Sequence, residues 1–548
     1  MRYPLLQTLV AFAIVLAWVH SAAAIDLGLV INIDGDNAFP ADTLAESTKA
    51  LRAEIDGYAN AKVKTLCYST GAGSDILLYP TRVANTWGWR KTKYDTDPAW
   101  QSRIERMRNN MAEGGDALRT AGTRAKERGM YFIPSQRMND GHFAFGNPPE
   151  EYPLTGKFWL EHRDLVIGKS PIHGKSEYQH LLDFTHQAVR DYRLAEIFEA
   201  IDRYQDILDG FELDFTRFQV FFPEGQAVTG APLMTELVAQ VREKLSTTSK
   251  AQNRPLVLIV RVPPSLKCCL WSGLEVELWA RQKLVDFVVP SQMMTTGFEQ
   301  PIDEFKAALG ADGPKVFAGL LSRVTVSFPF SASAAAGELK AADRGITIEQ
   351  LRAAAENSYH LGADGIYLFN LSNYAALFKN GSGKTAIDLS DLSSQANKDK
   401  VFSISKAYWY DSEDGYEYRK QLPVGLDESS PKSFKLLVGE DPNTADKRWL
   451  RIGLRNPPKN ARVEIALNNS KLVAGEIVSL ARPSHDETSK QVVKPVSASK
   501  DLPTHFVLIA LPQGAQVLRG QNTITMTLTG LAGESPTSVT DIDLGLFH

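Results

Sequence analysis

Two acids one residue apart, on what reads as an apolar strand, carry the densest chemistry in this chain. The run is Leu208-Asp209-Gly210-Phe211-Glu212-Leu213-Asp214-Phe215. In a strand, residues i and i+2 share a face. Glu212 and Asp214 therefore point one way, and Phe211, Leu213 and Phe215 the other. A buried carboxylate is costly unless it is paired or at work. At the carboxyl end of a barrel strand, such a pair suits acid–base or nucleophilic chemistry. Asp214 then reads as a nucleophile or charge stabiliser facing an oxocarbenium-like centre, with Glu212 tuning it or moving a proton. The competing reading is an ion pair with Arg217, Arg137 or Arg261 that only balances charge. Acids on one strand are poorly placed to flank a scissile bond, so a separate proton donor is expected; Asp140, Glu275 and Glu299 are candidates.

Other strand ends add polar groups. The first offers Asp34 and Asp36, and the third Arg137, Asn139, Asp140 and His142. The fourth adds Thr216 and Arg217, the fifth Arg261, the sixth Ser291 and Gln292, and the eighth Asn370 and Asn373. A ring of bidentate donors and acceptors suits a ligand with many hydroxyls, that is, a sugar. Asp34, Asp36, Arg137, Asn139, Asp140, His142, Arg217, Arg261, Gln292 and Asn370 are the expected substrate-binding set. The arginines leave room for acidic or sulfated sugars. Trp87, Trp89, Trp159, Trp271 and Tyr374 could stack on sugar faces or pack in the core. No metal site or cofactor is expected: the cysteines lack C-x-x-C spacing, and Asp34 and Asp36 lack the rest of a calcium loop.

The elements that must position these groups follow from periodicity. Eight β-rich runs are expected at residues 27–33, 64–69, 130–135, 210–215, 256–262, 286–290, 315–320 and 365–370. Amphipathic helical spacing is expected over 41–58, 100–128, 178–205, 233–245, 275–284, 302–309 and 348–361. Thr347 with Gln350 forms a capping-box pattern. Eight βα units within residues 25–395 predict an α/β fold, a (β/α)8 TIM barrel. Beyond residue 400 the texture changes to alternating runs such as 434–438, 461–467, 506–511 and 522–528, which predict a C-terminal β-sandwich over 400–548. Residues 388–400 read as the linker.

Several of these segments resemble a known group. Arg137-Met-Asn-Asp140-Gly-His142, Trp159-Leu-Glu-His162, Asp209-Gly-Phe-Glu-Leu-Asp214-Phe-Thr-Arg217, Arg261-Val-Pro263 and Gly362-Ala-Asp-Gly-Ile-Tyr-Leu-Phe-Asn370 together resemble the family-10-like glycosyl hydrolase proteins of exporting bacteria. The resemblance covers most of residues 25–380 and implies a (β/α)8 barrel. Asp209 to Asp214 is also similar to the strand-four signature of family 18 chitinases, Asp-Gly-x-Asp-x-Asp-x-Glu. Glu212 and Asp214 take the two inner acidic positions, and Thr216 replaces the terminal glutamate, that family's proton donor. Leu213 to Arg217 is similar in turn to the strand-four nucleophile segment of α-galactosidase-type barrels.

The remaining features bound the function. The formal net charge of −4 argues against a nucleic-acid partner. Arg2, the apolar run from Leu5 to Val19 and Ala22-Ala23-Ala24 read as a signal peptide over residues 1–24, so export to a periplasmic or extracellular space is expected. No later run is long and apolar enough to span a membrane. Cys67, Cys268 and Cys269 do not form a disulfide framework. The expectation is an exported glycoside hydrolase acting on a poly- or oligosaccharide. The alternative is a non-catalytic carbohydrate-binding protein on a degenerate barrel. Oligomeric state is open.

Overall fold

The computed structural model describes residues 25–548 except 36–37, 74, 145–147, 170–177, 293–294, 325–345, 371–388, 395–396, 405–420, 427–429, 458–461, 473–476, 480–502, 504, 513 and 530–536. The expected signal peptide, Asp36, Asn373 and Tyr374 lie outside the described residues.

Eight parallel strands close into a barrel: β1 (Val30–Ile33), β2 (Thr65–Ser69), β3 (Tyr131–Arg137), β4 (Gly210–Asp214), β5 (Val257–Val262), β6 (Phe287–Pro290), β7 (Lys315–Leu321) and β8 (Gly365–Phe369). Each strand pairs with its sequence neighbours, and β1 closes the ring against β8, with Val30 opposite Tyr367. All eight runs expected from the sequence are strands. Alternate residues turn inward. Val30, Cys67, Ile133, Ile259, Val289, Phe317 and Tyr367 pack together inside the ring, while Ile31, Leu66, Phe132, Leu213, Val260 and Leu368 pack outward against helices. Glu212 and Asp214 have inward parity, opposite Ser135 and Arg137 on β3 and opposite Ile259 and Arg261 on β5.

The helical layer is α1 (Leu44–Asn60), α2 (Gln101–Ala112), α3 (Ala117–Glu127), α4 (Gln187–Tyr204), α5 (Ala227–Gln252), α6 (Leu266–Trp271), α7 (Val276–Arg281), α8 (Ile302–Leu309) and α9 (Ile348–His360). The single helix expected over 100–128 is two. The chain breaks at Gly114 (φ +85°), and Asp116 caps α3 by accepting from the Arg119 N–H. Residues 178–186 are not part of α4, and α5 runs longer at both ends than the pattern suggested. Thr43 caps α1, its side chain accepting from the Glu46 N–H. Thr347 and Gln350 do form the capping box of α9.

After the barrel come β9 (Lys400–Ser403), β10 (Val424–Leu426), β11 (Lys432–Val438), β12 (Lys447–Arg455), β13 (Arg462–Leu467), β14 (Ser470–Leu472), β15 (Ile477–Ser479), β16 (His505–Ala510), β17 (Gly520–Thr529) and β18 (Thr537–Phe547). They form two antiparallel sheets, one ordered β9-β18-β12-β16-β15 with β10 also on β18, the other β11-β17-β13-β14. The expected linker is packed rather than loose where it is described. Leu389 and Leu392 are buried, and Asp391 pairs with Arg352 of α9.

Candidate active site

The inner ends of the strands carry two polar layers. In the lower layer Glu212 is fully buried. Its Oε1 accepts from Asn32 Nδ2 (2.7 Å, β1), Ser135 Oγ (2.5 Å, β3) and Tyr367 OH (2.9 Å, β8). β8 lies across the barrel from β4, so the tyrosine bond spans the ring. Burial, then the neighbouring Asp214 charge, pushes the Glu212 carboxyl up to about 7, against the pull of Ser135, Tyr367 and Arg261. The Cys67 thiol of β2 is raised by burial and then by Glu212.

Asp214 stands one layer nearer the mouth. Its Oδ1 accepts from the Thr216 N–H (2.9 Å) and Thr216 Oγ1 (2.8 Å), and Arg261 Nη1 reaches Oδ1 at 3.1 Å and Oδ2 at 2.9 Å. Arg261 also donates to Ser291 Oγ (3.2 Å), and its guanidinium lies 3.7 Å from the centre of the Phe369 ring. Asp214 and Arg261 are 2% and 1% exposed. Gly319 of β7 makes this layer possible. A Cβ there would stand 2.6 Å from Ser291 Cβ.

A second network covers the β1, β3 and β4 ends. Arg137 bridges Asp34 (2.6 Å) and Asp140 (2.6 Å). Arg217 reaches Asp34 (3.2 Å) and His142 Nε2 (3.3 Å), while His142 Nδ1 meets Asp140. Asn370 (φ +52°) bonds Asp34 through both amide atoms. Burial would raise the Asp34 carboxyl, but Arg137 and Arg217 outweigh it and hold it at about 2. Asp140 is likewise held well below the carboxylate range, burial being overcome by His142 and Arg137. The upper layer thus sets Asp34, Asp140 and Asp214 against Arg137, Arg217 and Arg261. His142 keeps about a third of its side chain exposed (32%), in contrast to the acids and arginines it joins.

Of the expected set, Asp34, Arg137, Asp140, His142, Arg217 and Asn370 share this second network, and Arg261 belongs to the Asp214 layer. Asn139 and Gln292 stand apart from both. Asn139 gives its amide to the Leu182 and Val220 carbonyls and so ties two loops together. Gln292 is buried and accepts from Thr295 Oγ1. Of the donor candidates, Glu275 sits among the helices, bonded to Thr235 of α5. Trp87 and Trp159 are core residues, and Trp89 bonds the Thr155 carbonyl. Asn32, Ser135, Cys67 and Tyr367 were not singled out from the sequence as partners of Glu212. Their i, i+2 parity in strands β1, β2, β3 and β8 was the available signal.

No protein-family model and no curated protein sequence matches the chain. Solved structures align at low similarity. A Paenibacillus sp. cycloisomaltooligosaccharide glucanotransferase is 9% identical over 94% of this chain, with TM-score 0.32; the chain spans 57% of it, just over half its length. An alpha-L-fucosidase from Bacteroides thetaiotaomicron is 9% identical over 92% of this chain and 94% of its own, with TM-score 0.33. A maltogenic alpha-amylase from Thermotoga neapolitana is 9% identical over 92% of this chain and all of its own, with TM-score 0.36. At this level of likeness, function rests on the barrel's own residues.

Proposed function

We propose that the chain is an exported glycoside hydrolase whose chemistry lies at the inner acids of β4. The observation that carries this reading is Glu212, a carboxyl held at about 7 directly below Asp214 in a closed parallel barrel. A group that gives and takes a proton near neutrality is what acid–base catalysis requires. Asp140 and Asp34 are held ionised, so neither supplies a proton at neutral pH. Asp214, oriented by Thr216 and Arg261, is the nucleophile or charge stabiliser, and Glu212 assists as the proton-bearing partner. Arg137, Arg217, His142 and Asn370 hold hydroxyl, carboxylate or sulfate groups of the sugar at the mouth.

The test is release of reducing ends from neutral, acidic and sulfated glycans by the wild type, Glu212→Gln and Asp214→Asn. Turnover is expected in the wild type, with kcat falling as pH rises through about 7, and a loss of at least about a hundredfold in each variant. Undiminished turnover in both folded variants would remove β4 from the mechanism. A second reading, a sugar-binding protein on a degenerate barrel, is favoured by the deep burial of Glu212 and the closed Asp214–Arg261 pair. Saturable glycan binding without reducing-end release selects it.

A further inference from the structure

Behind the barrel mouth, α4 meets the loop that follows β2 through three buried charged side chains. Arg193 and Glu196, about one turn apart on α4, and Asp75 of the loop are 2%, 0% and 5% exposed. A single guanidinium nitrogen, Arg193 Nη1, donates to Asp75 Oδ1 (2.6 Å) and to Glu196 Oε2. The other oxygens, Asp75 Oδ2 and Glu196 Oε1, are buried without a hydrogen-bond partner. Facing the group are Tyr192 and Glu199 of α4, Tyr79 further along the loop, and Asp140 beyond β3. None of these is a cation, and burial keeps both phenols neutral.

The charge balance decides the protonation state. Two ionised acids on one arginine leave a net negative charge away from water, with two carboxylate oxygens unsatisfied. Such a charge is expensive to bury, and a proton on one acid removes it. Burial, then the Asp75 charge, accordingly pushes the Glu196 carboxyl well above its usual range, and burial raises Asp75 against the pull of Arg193. The loop side of the cluster is also strained. Asp75 holds φ +63°, a left-handed backbone that persists where the surroundings enforce it. It precedes the short strand Ile76–Leu77, which pairs with Gly71–Ala72, and the Gly73 N–H donates to Asp140 Oδ2 (3.2 Å). The cluster thus connects α4 to the acid that holds Arg137 and His142.

We propose that Asp75 and Glu196 keep one proton between them at neutral pH and act as an alkali-sensitive latch. With the proton in place, the loop stays docked on α4. When the proton passes to solvent, the loop lifts and draws the Gly73 N–H away from Asp140. The docked pair holds a proton that the opened loop releases, so docking is fully stabilised below the ordinary carboxylate range and weakens as pH rises through the pair's titration. The latch does not depend on the glycosidase reading and operates equally in a barrel without turnover.

The experiment follows amide hydrogen exchange of the full chain by mass spectrometry from about pH 6 to about pH 10, with rates corrected for intrinsic exchange. Wild type, Glu196→Gln and Asp75→Asn are compared, each with a thermal melt. Wild-type protection over residues 71–79 should fall about tenfold per pH unit once the pair releases its proton. Each variant leaves one acid on one arginine, so each should stay protected and flat across the range. Residues 348–360 of α9 report on the rest of the barrel and should show no such slope. A flat wild type overturns the latch. So does the wild-type slope in either folded variant, which places the proton elsewhere, or the same slope in α9, which marks global unfolding. Should one variant fail to fold, the other and the wild-type slope decide.

Discussion

Glu212 and Asp34 sit in one barrel yet titrate in opposite directions, and the sign of each effect follows from its surroundings. The Glu212 carboxyl is raised from 4.5 to about 7. The folded state then holds a proton that the unfolded chain releases, so this stabilisation is complete below pH 4.5 and disappears as pH rises through about 7. Over that window wild-type unfolding free energy should drop by about 3 kcal/mol from this group. Urea unfolding at pH 4.5, 6 and 7.5 measures it, and Glu212→Gln should flatten the slope. A wild-type slope retained in that variant assigns the proton elsewhere. Asp34, lowered from 3.8 to about 2, acts the other way. Its stabilisation is present above pH 3.8 and fades as pH falls through about 2, so acid unfolding should begin there. Asp214 and Arg261 call for a double-mutant cycle, since both are almost fully buried. Asp214→Leu alone strands a guanidinium and Arg261→Met alone strands a carboxylate, each costing about 3–5 kcal/mol, whereas the two together should cost clearly less. Additive losses in chemical denaturation would mean that the pair does not couple.

Elements differ in how openly the sequence states them. The inner face of β4 was legible because alternation is strict and only one parity carries acids. The arginine partners were legible as candidates but not as pairs, since register between strands is a property of the closed ring. Asn32, Cys67, Ser135 and Tyr367 look like ordinary strand residues and gain meaning only once β1, β2, β3 and β8 converge on Glu212. The break between α2 and α3 was hidden because apolar spacing continues across it, and Gly114 alone does not reveal a left-handed turn. The α9 start was legible, because a capping box is a local pattern with a local cause. Its Thr347 Oγ1 accepts from the Gln350 N–H at 3.2 Å. Thr347→Ala should therefore cost about 1 kcal/mol. A shift in the urea midpoint with unchanged slope is the expected signature; no shift means that packing alone starts the helix.

α9 is also where barrel and sandwich meet, and that contact decides how the whole molecule unfolds. Asn357 gives one amide group to the Phe298 carbonyl of the barrel (3.0 Å) and the Leu437 carbonyl of β11 (3.1 Å). Lys400 of β9 is buried between Glu440, at the end of β11, and Glu356 of α9 (3.9 Å). Gly439 passes so close that a Cβ there would stand 2.6 Å from the Glu356 carbonyl oxygen. One continuous apolar cluster runs from the helix layer, through Leu389 and Leu392, to Phe402, Phe434 and Leu450 of the sandwich. A buried amide and a buried lysine lose their partners if the two parts separate, and an unpartnered buried charge is expensive. Barrel and sandwich should accordingly unfold in one transition, seen as coincident near-UV and far-UV melts with equal calorimetric and van't Hoff enthalpies. Asn357→Ala should lower that single midpoint, through a loss of about 1–3 kcal/mol of unfolding free energy, as expected for removing a doubly bonded buried amide. Two resolved transitions in the wild type, with only one of them moved by Asn357→Ala, would show that the sandwich is an independent module rather than part of the barrel's support.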